Sequence, residues 1–503
     1  MSTIIEKQKI THYTQPSDMD KQLNRLFSQG SVSTFQSENF KKIKTKKLDG
    51  NISFLLDKLV LFLSETTINE NAHDIILIDA LIALIDKRIT SQLNEILHHH
   101  TYKSLESTWR GLFFVIQRTD FHQNIQMEIM NCSMKKLMED FDVATEILQS
   151  GLYQQIYDRE YDSPGAIPIA AIVADFEFDY SHSNISLLRN VSKVAAATHC
   201  PFISSVGAKF FDLSSTKEIN NLGNIGTVFE RSLYHYWNNF RTDDDSCYVG
   251  LTLNRFLLRE PYSFEYGNSK YYFEEDITND DNLIWGNPAF AFISNINRSF
   301  SIYGWAVNIK GSNSGGKIEN LISYGYKSMN KNFIRISTEF LLSAPKEHEL
   351  SIAGFIPLSG YKNNNCAVFF SSKSTQKALL YDTSEANANS KIVTNLSNLF
   401  LLSRLAHCLK VIQREEIGGS KKKEDIQEEL NKWIKSLVLL SKDPMPEQIA
   451  KYPLKDASVK IDEFDDMPGY YYLKLKIRPH FQIEGVNIDL SMTSKIPKKQ
   501  SAK

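Results

Sequence analysis

The sequence is poor in cysteine. Five cysteines occur in 503 residues, and no two of them have the spacing of a metal site. Thiols that are scattered and odd in number are typical of proteins from a reducing compartment. We therefore expect neither a disulfide framework nor a bound metal. The cysteines are Cys132, Cys200, Cys247, Cys366 and Cys408.

Long apolar runs are missing as well. A transmembrane helix needs about 18 consecutive apolar residues, whereas the most apolar stretch, residues 75–85, is interrupted by Asp79. Residues 1–10 include three charged side chains, and no apolar core of the kind found in signal peptides follows them. These features predict a cytoplasmic protein without membrane insertion.

No excess of either charge is present. The sequence has 57 Lys and Arg against 59 Asp and Glu, which gives a formal net charge of -2. A nearly neutral chain has no general electrostatic attraction to nucleic acid, so we expect no nucleic-acid partner. Hydrophobic residues make up 42% of the sequence, which is typical of globular proteins. The length predicts two or three domains, because a single core stops growing at roughly 250 to 300 residues.

Residues 1–50 predict an N-terminal arm and linker. They are polar and end in a cluster of lysines, a composition that buries too little apolar surface to offset chain entropy. Ser17 can cap a short helix on which Leu23, Leu26 and Phe27 share one face. This face is a candidate docking helix. A surface helix that folds back on its own domain is an equal alternative.

Residues 51–385 predict an α/β domain. Short, nearly continuous apolar strands alternate with helices, as in a mainly parallel sheet that is covered on both faces. A mixed insertion, rich in Asn, Gly and Ser, occupies residues 258–381. The predicted strands are residues 126–131, 167–178, 201–206 and 247–253, and the predicted helices are residues 81–97, 135–157 and 185–197.

Residues 386–503 predict a C-terminal domain of helices and β-strands. Two helices precede three segments in which apolar and polar residues alternate, and Pro and Gly separate the segments. A small sheet has open edges that can template a strand of another chain. The alternative is a meander that packs only on its own domain. The hypothetical assembly-strand residues are Val459, Ile461, Tyr471, Leu473, Leu475, Ile477, Val486, Ile488 and Leu490.

One segment resembles a phosphate-binding loop. Residues 311–317 have the required glycine and lysine spacing and follow a predicted strand, residues 304–310. A P-loop needs Ser or Thr after Lys317 to hold magnesium, but Ile318 has no ligand atom. A flexible glycine-rich hairpin is therefore the better interpretation.

A set of acidic residues lies at the end of the predicted strand 167–178 and just after it. Asp175, Glu177, Asp179 and His182 stand where α/β enzymes often keep catalytic groups. No nucleophile elbow, Cys/His pair or glycine fingerprint accompanies them. We expect no catalytic, cofactor-binding or metal site, and interpret the set as a solvated or interface cluster. The alternative function is a nucleotide-binding α/β enzyme that uses Lys317 and the Asp175 cluster.

Several ordered motifs together resemble one known family, the large subunit of the contractile sheath of type VI secretion systems (TssC/VipB). The resemblance covers roughly residues 50–497. The motifs are LESTWRGL at residues 105–112, VADFEF at 173–178, GLTLNRF at 250–256, INRSF and YGW within 296–305, GFIPL at 354–358, RLAH at 404–407, and PGYY and RPHFQIEG within 468–485.

The resemblance implies a structural role without catalysis. Members of the family pair with a small sheath subunit, and the heterodimers, with further copies of themselves, form a helical tube around inner-tube hexamers. It also implies a baseplate, an AAA+ unfoldase that recycles the contracted sheath, and docking of the sheath at the bacterial cell envelope. Arms from neighbouring subunits add strands to the C-terminal sheet, and contraction drives the inner tube outward.

Overall fold

The computed structural model describes residues 8–9, 72–163, 165–263, 273–328, 331–362, 364–379, 382–383, 387, 390, 393–416, 423–439, 445–463, 470–480 and 490–497. The described residues belong to two compact units. The smaller unit comprises those within Met1–His99, Met127–Met130 and Pro261–Thr278, and the larger unit comprises the others.

The smaller unit contains one long helix and one short strand pair. Helix α1 is Ala72–Leu97, which confirms the helix predicted from its apolar periodicity. Strands β1 (Gln8–Lys9) and β2 (Glu128–Ile129) pair antiparallel. The predicted strand at residues 126–131 is therefore reduced to two residues.

The larger unit holds the other strands. In chain order they are β3 (Ile172–Phe178), β4 (Phe202–Val206), β5 (Val249–Leu253), β6 (Phe256–Leu257), β7 (Trp285–Gly286), β8 (Lys317–Ile318), β9 (Gly325–Ser328), β10 (Lys331–Ile334), β11 (Phe355–Gly360), β12 (Ala367–Phe369), β13 (Leu454–Glu463), β14 (Tyr470–Pro479) and β15 (Leu490–Pro497).

The same unit contains the remaining helices. They are α2 (His100–Gln117), α3 (Met134–Val143), α4 (His182–Thr198), α5 (Ile225–Phe229), α6 (His235–Phe240), α7 (Pro288–Tyr303), α8 (Ala344–Ile352), α9 (Leu396–Glu416), α10 (Lys423–Lys435) and α11 (Pro446–Lys451). Between α3 and β3, one α-helical turn, Gly151–Tyr153, runs into a π-helix, Gln154–Asp162.

The central sheet is mainly parallel, as predicted. Its strand order is β3-β4-β5-β11-β12-β8. The first four strands are parallel, whereas β12 and β8 join antiparallel. All five residues of β4 and of β5 are buried, which explains why these strands read as continuous apolar runs without alternation. The fold is therefore of the mixed α/β class.

An aromatic cluster packs at one end of this sheet. Trp237 of α6 stacks on Phe355 of β11 with ring centroids 5.5 Å apart, and Phe210 meets both rings edge-on. All three side chains are fully buried. On α2, a Cβ at Gly111 would lie 2.4 Å from the ring of Phe290, so glycine allows α2 and α7 to approach closely.

The predicted helix at residues 135–157 is wrong in its length. Helix α3 ends at Val143, and the chain turns before Ser150 caps the next helical turn by accepting the amide of Tyr153. The carboxylate of Asp140 holds this turn, because its oxygens accept the amides of Gly151 and Leu152 at 2.9 and 3.2 Å. A side chain eleven residues upstream thus decides where the new helix begins.

The predicted strand at residues 304–310 is also wrong. Helix α7 ends at Gly304, whose φ of 77° lies in the left-handed region that glycine favours. Ser299 then holds the chain that follows. Its hydroxyl donates to the carbonyl of Trp305 at 2.7 Å and accepts the amide of Asn308 at 3.2 Å. These contacts with the helix replace the ladder that a strand would need.

A second core lies under the C-terminal sheet. Strands β13, β14 and β15 form an antiparallel sheet in that order. Apolar side chains of the sheet pack on α9 and α10. The buried members are Trp305, Val307, Leu401, Leu402, Leu405, Leu409, Leu430, Ile434, Leu454, Ala457, Val459, Ile461, Leu473, Leu475 and Ile477.

Helix α9 joins this second core to the helices that flank the central sheet. His407 is 1% exposed, and its Nε2 lies 2.8 Å from the carbonyl of Thr198 at the end of α4. His199 Nδ1 lies 2.9 Å from the hydroxyl of Tyr248. The ring of Tyr161 is within 6.4 Å of both imidazoles. Burial lowers the pKa of His199 and of His407 to about 4.

A buried carboxylate joins α2 to the chain after β6. Glu106 is 3% exposed, and its Oε1 accepts from Nε of Arg259 at 2.8 Å and from Nε of Arg110 at 2.7 Å. The side chain of Arg259 is 7% exposed. Removing one charge of such a buried pair is costly, because the other charge remains out of water.

We predict that Glu106→Gln lowers the free energy of unfolding by about 3 kcal/mol, because Arg259 loses this carboxylate while staying buried. Chemical denaturation measures the change. The matched control is Glu319→Gln, which removes the exposed carboxylate that pairs with Lys317 and should leave the midpoint unchanged. Equal midpoints for wild type and Glu106→Gln would contradict the structural role of Glu106.

We predict that His407→Gln flattens the acid limb of the stability curve. In wild type His407 is neutral when folded, whereas the unfolded chain takes up a proton below the ordinary pKa of 6.5. Stability is therefore full above pH 6.5 and falls towards pH 4, by roughly 3 kcal/mol for this residue. Thermal unfolding between pH 4 and pH 7 measures the slope, and parallel curves for the two proteins would refute the prediction.

Candidate assembly edge of the C-terminal sheet

The alternation of β13 and β14 sorts their side chains onto two faces. Val459 pairs with Leu475 and Ile461 pairs with Leu473. These four side chains, with Ile477, are at most 4% exposed. The predicted inward face is therefore confirmed for these five residues. They pack on the chain's own helices, so their side chains belong to the core under the sheet.

For two of the other predicted assembly residues, only the strand pairing is described. Tyr471 pairs with Ile496, and Leu490 pairs with Ile477. The third strand is described over Leu490–Pro497, so it continues five residues beyond the end of the alternation that was predicted for residues 486–492. The remaining predicted residues lie outside the described part of the chain; they are Val486, Ile488, Leu23, Leu26 and Phe27.

The outer edge of β13 is covered by side chains of α10. Asn431 accepts the amide of Val459 through Oδ1 at 2.8 Å and donates from Nδ2 to the carbonyl of Val459 at 2.7 Å. One turn earlier, Oε1 of Gln427 accepts the amide of Ile461 at 3.0 Å. A side-chain amide has one donor group and one acceptor, like a peptide group. These two residues therefore pair with β13 much as a neighbouring strand would.

The start of β13 is covered in the same way. The amide of Leu439 donates to the carbonyl of Leu454 at 2.9 Å, and Val438 forms a parallel bridge with Leu454. The segment that follows α10 thus continues along the same edge. Together with Gln427 and Asn431, this segment pairs the outward carbonyl of Leu454, both backbone groups of Val459 and the amide of Ile461 within one chain.

The orientation of Val459 fixes the orientation of β15. In an antiparallel ladder, the backbone groups of successive residues point alternately to the two neighbouring strands. The backbone amide and carbonyl of Val459 point at α10. The backbone groups of its partner Leu475 therefore point at β15, where Leu475 pairs with Met492. The backbone groups of Ser491 and Thr493, on either side of Met492, must then point away from β14. By the same alternation, so must those of Lys495. All three therefore face the outer edge of the described sheet.

The sequence analysis missed Gln427 and Asn431. The sequence contains a weak signal for them, because these two amide residues are four positions apart on α10 and lie beside its apolar face. Side chains at that spacing share one helix face. Nothing in the spacing, however, says which strand they would meet.

The glycine-rich segment before Lys317 forms a turn, as expected. The amide of Gly311 donates to Phe369 at 2.7 Å and that of Gly316 donates to Gly311 at 2.9 Å, so neither is aimed at a phosphate. Lys317 opens β8, and its Nζ donates to Glu319 at 2.6 Å. This hydrogen bond raises the pKa of Lys317. The helix that a phosphate site requires does not follow in the described residues 318–328.

Two of the acidic residues near β3, Asp175 and Asp179, accept hydrogen bonds from neighbouring residues. Asn287 donates to Oδ1 of Asp175 at 3.1 Å, and the amide of Ser181 donates to Oδ1 of Asp179 at 2.9 Å. A Cβ at Gly207 would collide with the carboxylate of Glu177. His182 begins α4. The described residues contain no group of three His, Cys, Asp or Glu side chains that could hold a metal ion.

The ionisation of Asp179 follows from its surroundings. Burial raises the pKa of this carboxyl, but hydrogen bonds from the hydroxyl and the amide of Ser181 and from Asn184 outweigh burial and lower its pKa overall. The N-cap of α4 is Ser181, and Asp179 supports this cap by accepting hydrogen bonds from Ser181 and Asn184. This role accounts for Asp179 without catalysis.

No helix in the described part of the chain has both the length and the apolar character that crossing a membrane requires.

Comparison with known proteins identifies two family domains. Residues 79–376 match the EvpB/VC_A0108 tail sheath N-terminal domain (VipB), and residues 385–496 match the EvpB/VC_A0108 tail sheath gpW/gp25-like domain. The second domain contains α9, α10 and the C-terminal sheet.

A curated relative and two solved structures are also similar. The type VI secretion system sheath protein TssC1 of Pseudomonas aeruginosa is 35% identical over 435 residues, which cover 84% of this chain and 87% of that protein. Two cryo-EM structures of the anti-feeding prophage are distant. Its baseplate has a TM-score of 0.30 at 8% identity, with 63% of each chain covered. Its contracted helical sheath has a TM-score of 0.26 at 10% identity, with 63% of this chain and 64% of that chain covered.

The two domain matches span most of the sequence in the order of the family, and the TssC1 relative extends across both. The chain therefore belongs to the TssC/VipB family of large sheath subunits of type VI secretion systems.

Proposed function

We propose that this chain pairs with a small sheath subunit and polymerises by strand exchange into a tube that contracts. The observation that supports the proposal is the three-stranded C-terminal sheet, in which β15 is an edge strand among the described residues. The outward backbone groups of Ser491, Thr493 and Lys495 offer a ladder to an extended segment of another sheath protomer. Such strand addition gains hydrogen bonds along the edge while the side chains set the register.

A joint of this kind is modest by itself. A cross-strand pair contributes about 0.2 to 1 kcal/mol, so a joint of a few residues is weak. A tube repeats the joint at each protomer, and the sum stabilises the assembly. Weak single joints also allow neighbouring protomers to shift without losing their connection.

The C-terminal sheet is anchored so that it can transmit force. Helix α9 packs under the sheet, and its last turns hold the π-helix through charged groups. Nη1 of Arg414 donates to the carbonyl of Ser163 at 2.6 Å and Nη2 donates to that of Ala166 at 2.8 Å. Nζ of Lys410 lies 3.0 Å from Asp162. A force that acts on the C-terminal sheet is therefore transmitted through α9 to the helices beside the central sheet.

In this proposal, the free energy that drives contraction is stored in the packing of the protomers in the tube. If the extended and the contracted packings differ by a few kcal/mol per protomer, linked neighbours change together and the summed difference drives movement. The tube surrounds inner-tube hexamers and starts at a baseplate at the cell envelope in the cytoplasm. An AAA+ unfoldase recycles the contracted sheath. No catalytic group is needed for this role, and the structural partners of Asp175, Asp179 and Lys317 agree with it.

We predict that Thr493→Pro prevents tube formation. Proline removes the amide that faces the outer edge of β15, whereas the pairing of Met492 with Leu475 stays intact. The variant should be co-expressed with the small subunit and examined by negative-stain microscopy, while circular dichroism shows that it folds. We expect a folded heterodimer with at least about fivefold fewer tubes, since each joint loses a ladder bond of about 1 kcal/mol and this loss is repeated at every protomer.

The matched control is Thr493→Val, which keeps the amide and the β-branched shape but removes the hydroxyl. It should form tubes as wild type does. Normal tubes from folded Thr493→Pro would contradict strand addition at β15. Loss of tubes in both variants would assign the effect to the side chain of Thr493 and would equally contradict the proposal.

A further inference from the structure

A partly enclosed cavity lies beside the glycine-rich turn of residues 311–316. Its volume is about 370 Å³, which is at the lower end of the range of about 300 to 1,000 Å³ for small-molecule sites. The proposed assembly role does not use this cavity. Polar side chains from three segments of the chain line it, among them Asn308, Lys310, Ser314, Lys373 and Asn395.

Two positive charges meet at this cavity. The side chains of Lys310 and Lys373 both line it, and both residues are partly buried. Burial and the nearby charge of Lys373 lower the pKa of Lys310 to about 8. Two ammonium groups that repel each other in a partly buried place are both stabilised by an anion bound beside them.

One carboxylate acts against such an anion. The charge of Glu347 interacts with that of Lys373, and its Oε1 accepts the hydroxyl of Ser371 at 3.0 Å. Burial is the main reason why the pKa of Glu347 is raised. Glu347 offsets part of the positive charge of Lys373, whereas Lys310 lies at the cavity with its charge opposed by a second ammonium group.

The backbone that carries the two lysines is held in place. Directly after Lys310, the amide of Gly311 donates to the carbonyl of Phe369 at 2.7 Å. Around Lys373, residues 372–374 pair with residues 394–396 through two backbone hydrogen bonds of 2.8 Å. Groups that are already fixed lose little conformational entropy when a ligand binds.

The head group of Lys310 is also oriented. Its Nζ lies 2.8 Å from the side-chain oxygen of Asn395 when that amide is turned so that its nitrogen donates to Ser372. An ammonium group has three donors, so two remain for a ligand in the cavity.

We propose that this cavity binds the phosphate group of a small anion, with Lys310 and Lys373 as its cationic ligands and Ser314 as a hydroxyl donor. A phosphate carries nearly two negative charges and accepts hydrogen bonds from several directions, which matches donors that come from separate segments. Flat carboxylates are recognised best by the fork of an arginine. The described residues that line the cavity include no arginine.

This site differs from a P-loop. The lysine that a P-loop would use is Lys317, which is outside the lining of the cavity and donates from Nζ to Glu319 at 2.6 Å. Lys310 precedes the glycine-rich turn instead of following it. The two lysines therefore make opposite predictions for phosphate binding, and Lys317 provides a matched control.

The cavity lies where the two family domains meet. Lys310 and Lys373 belong to the domain matched by residues 79–376, and Asn395 belongs to the domain matched by residues 385–496. A bound phosphate would connect groups of both domains. Because a ligand that binds only the folded chain stabilises it, phosphate should raise the midpoint of thermal unfolding.

Isothermal titration calorimetry of the full-length chain at pH 7 and constant ionic strength tests the proposal. Lys310 is mostly protonated at this pH, because its pKa is about 8. The probes are inorganic phosphate, ribose 5-phosphate and succinate. We expect saturable binding of the phosphates and at least about tenfold weaker binding of succinate, which has no phosphate group.

The two phosphate probes identify the source of the anion. Equal affinities would indicate free phosphate as the ligand. Tighter binding of ribose 5-phosphate, by about tenfold or more, would indicate that the rest of a small organic phosphate also contacts the cavity. Both results support the site.

The variant Lys310→Met removes the ammonium group but keeps an apolar stem. Its affinity for phosphate should fall at least about tenfold, the effect of losing one hydrogen bond between charged groups. Lys373→Met should weaken binding in the same way, whereas Lys317→Met should bind as wild type does. Thermal unfolding shows that each variant is folded, and phosphate should raise the midpoint for wild type and Lys317→Met but not for Lys310→Met.

Three results would overturn the proposal. They are the lack of saturable binding of either phosphate to wild type, equal affinities for succinate and phosphate, and unchanged phosphate binding in folded Lys310→Met. Loss of binding in Lys317→Met with full binding in Lys310→Met would place the anion outside this cavity and would overturn it as well. Tube formation is not a readout here, so each of these results is independent of strand exchange.

Discussion

The structure of the C-terminal domain depends on one constraint, namely that the backbone groups of a small sheet need hydrogen-bond partners at its edges. The central strand β14 obtains its partners from β13 and β15. The outer side of β13 obtains them from side-chain amides of α10. Strand β15 has a second side on which the sheet ends within the described residues. The proposed assembly by strand addition would use that edge.

The position of this edge matters for the proposal because the C-terminal sheet is tied to the helices beside the central sheet of the same unit. Its apolar face packs on α9 and α10, and α9 continues to the π-helix and to the end of α4 through Arg414, Lys410 and His407. Hydrogen bonds and ion pairs of this kind have defined geometry, so a displacement of α9 would also displace the π-helix and the end of α4. Contraction of a lattice needs both properties, a joint that holds neighbours and a rigid path from the joint to the body of each protomer.

Much of the fold was predictable from periodicity, and the failures have physical causes. Strands β4 and β5 were found because parallel strands that are buried on both faces leave short apolar runs. The break after α3 was missed because Asp140 reaches eleven residues ahead to pair with the next helical turn. The covered edge was missed for a similar reason, since Asn431 and Gln427 pair with residues 28 and 34 positions away. Hydrophobic patterns report which face is buried, but they contain no information about such pairings of polar side chains with a distant backbone.

The most direct test of the account is a cryo-EM map of the assembled tube at a resolution that shows the backbone of the C-terminal sheet. The account predicts an additional strand from a neighbouring protomer beside Leu490–Pro497 of one protomer, while α10 still covers Leu454–Glu463 through Gln427 and Asn431. A map in which the sheet has no backbone of another protomer beside it, or in which that backbone lies along Leu454–Glu463, would contradict the account.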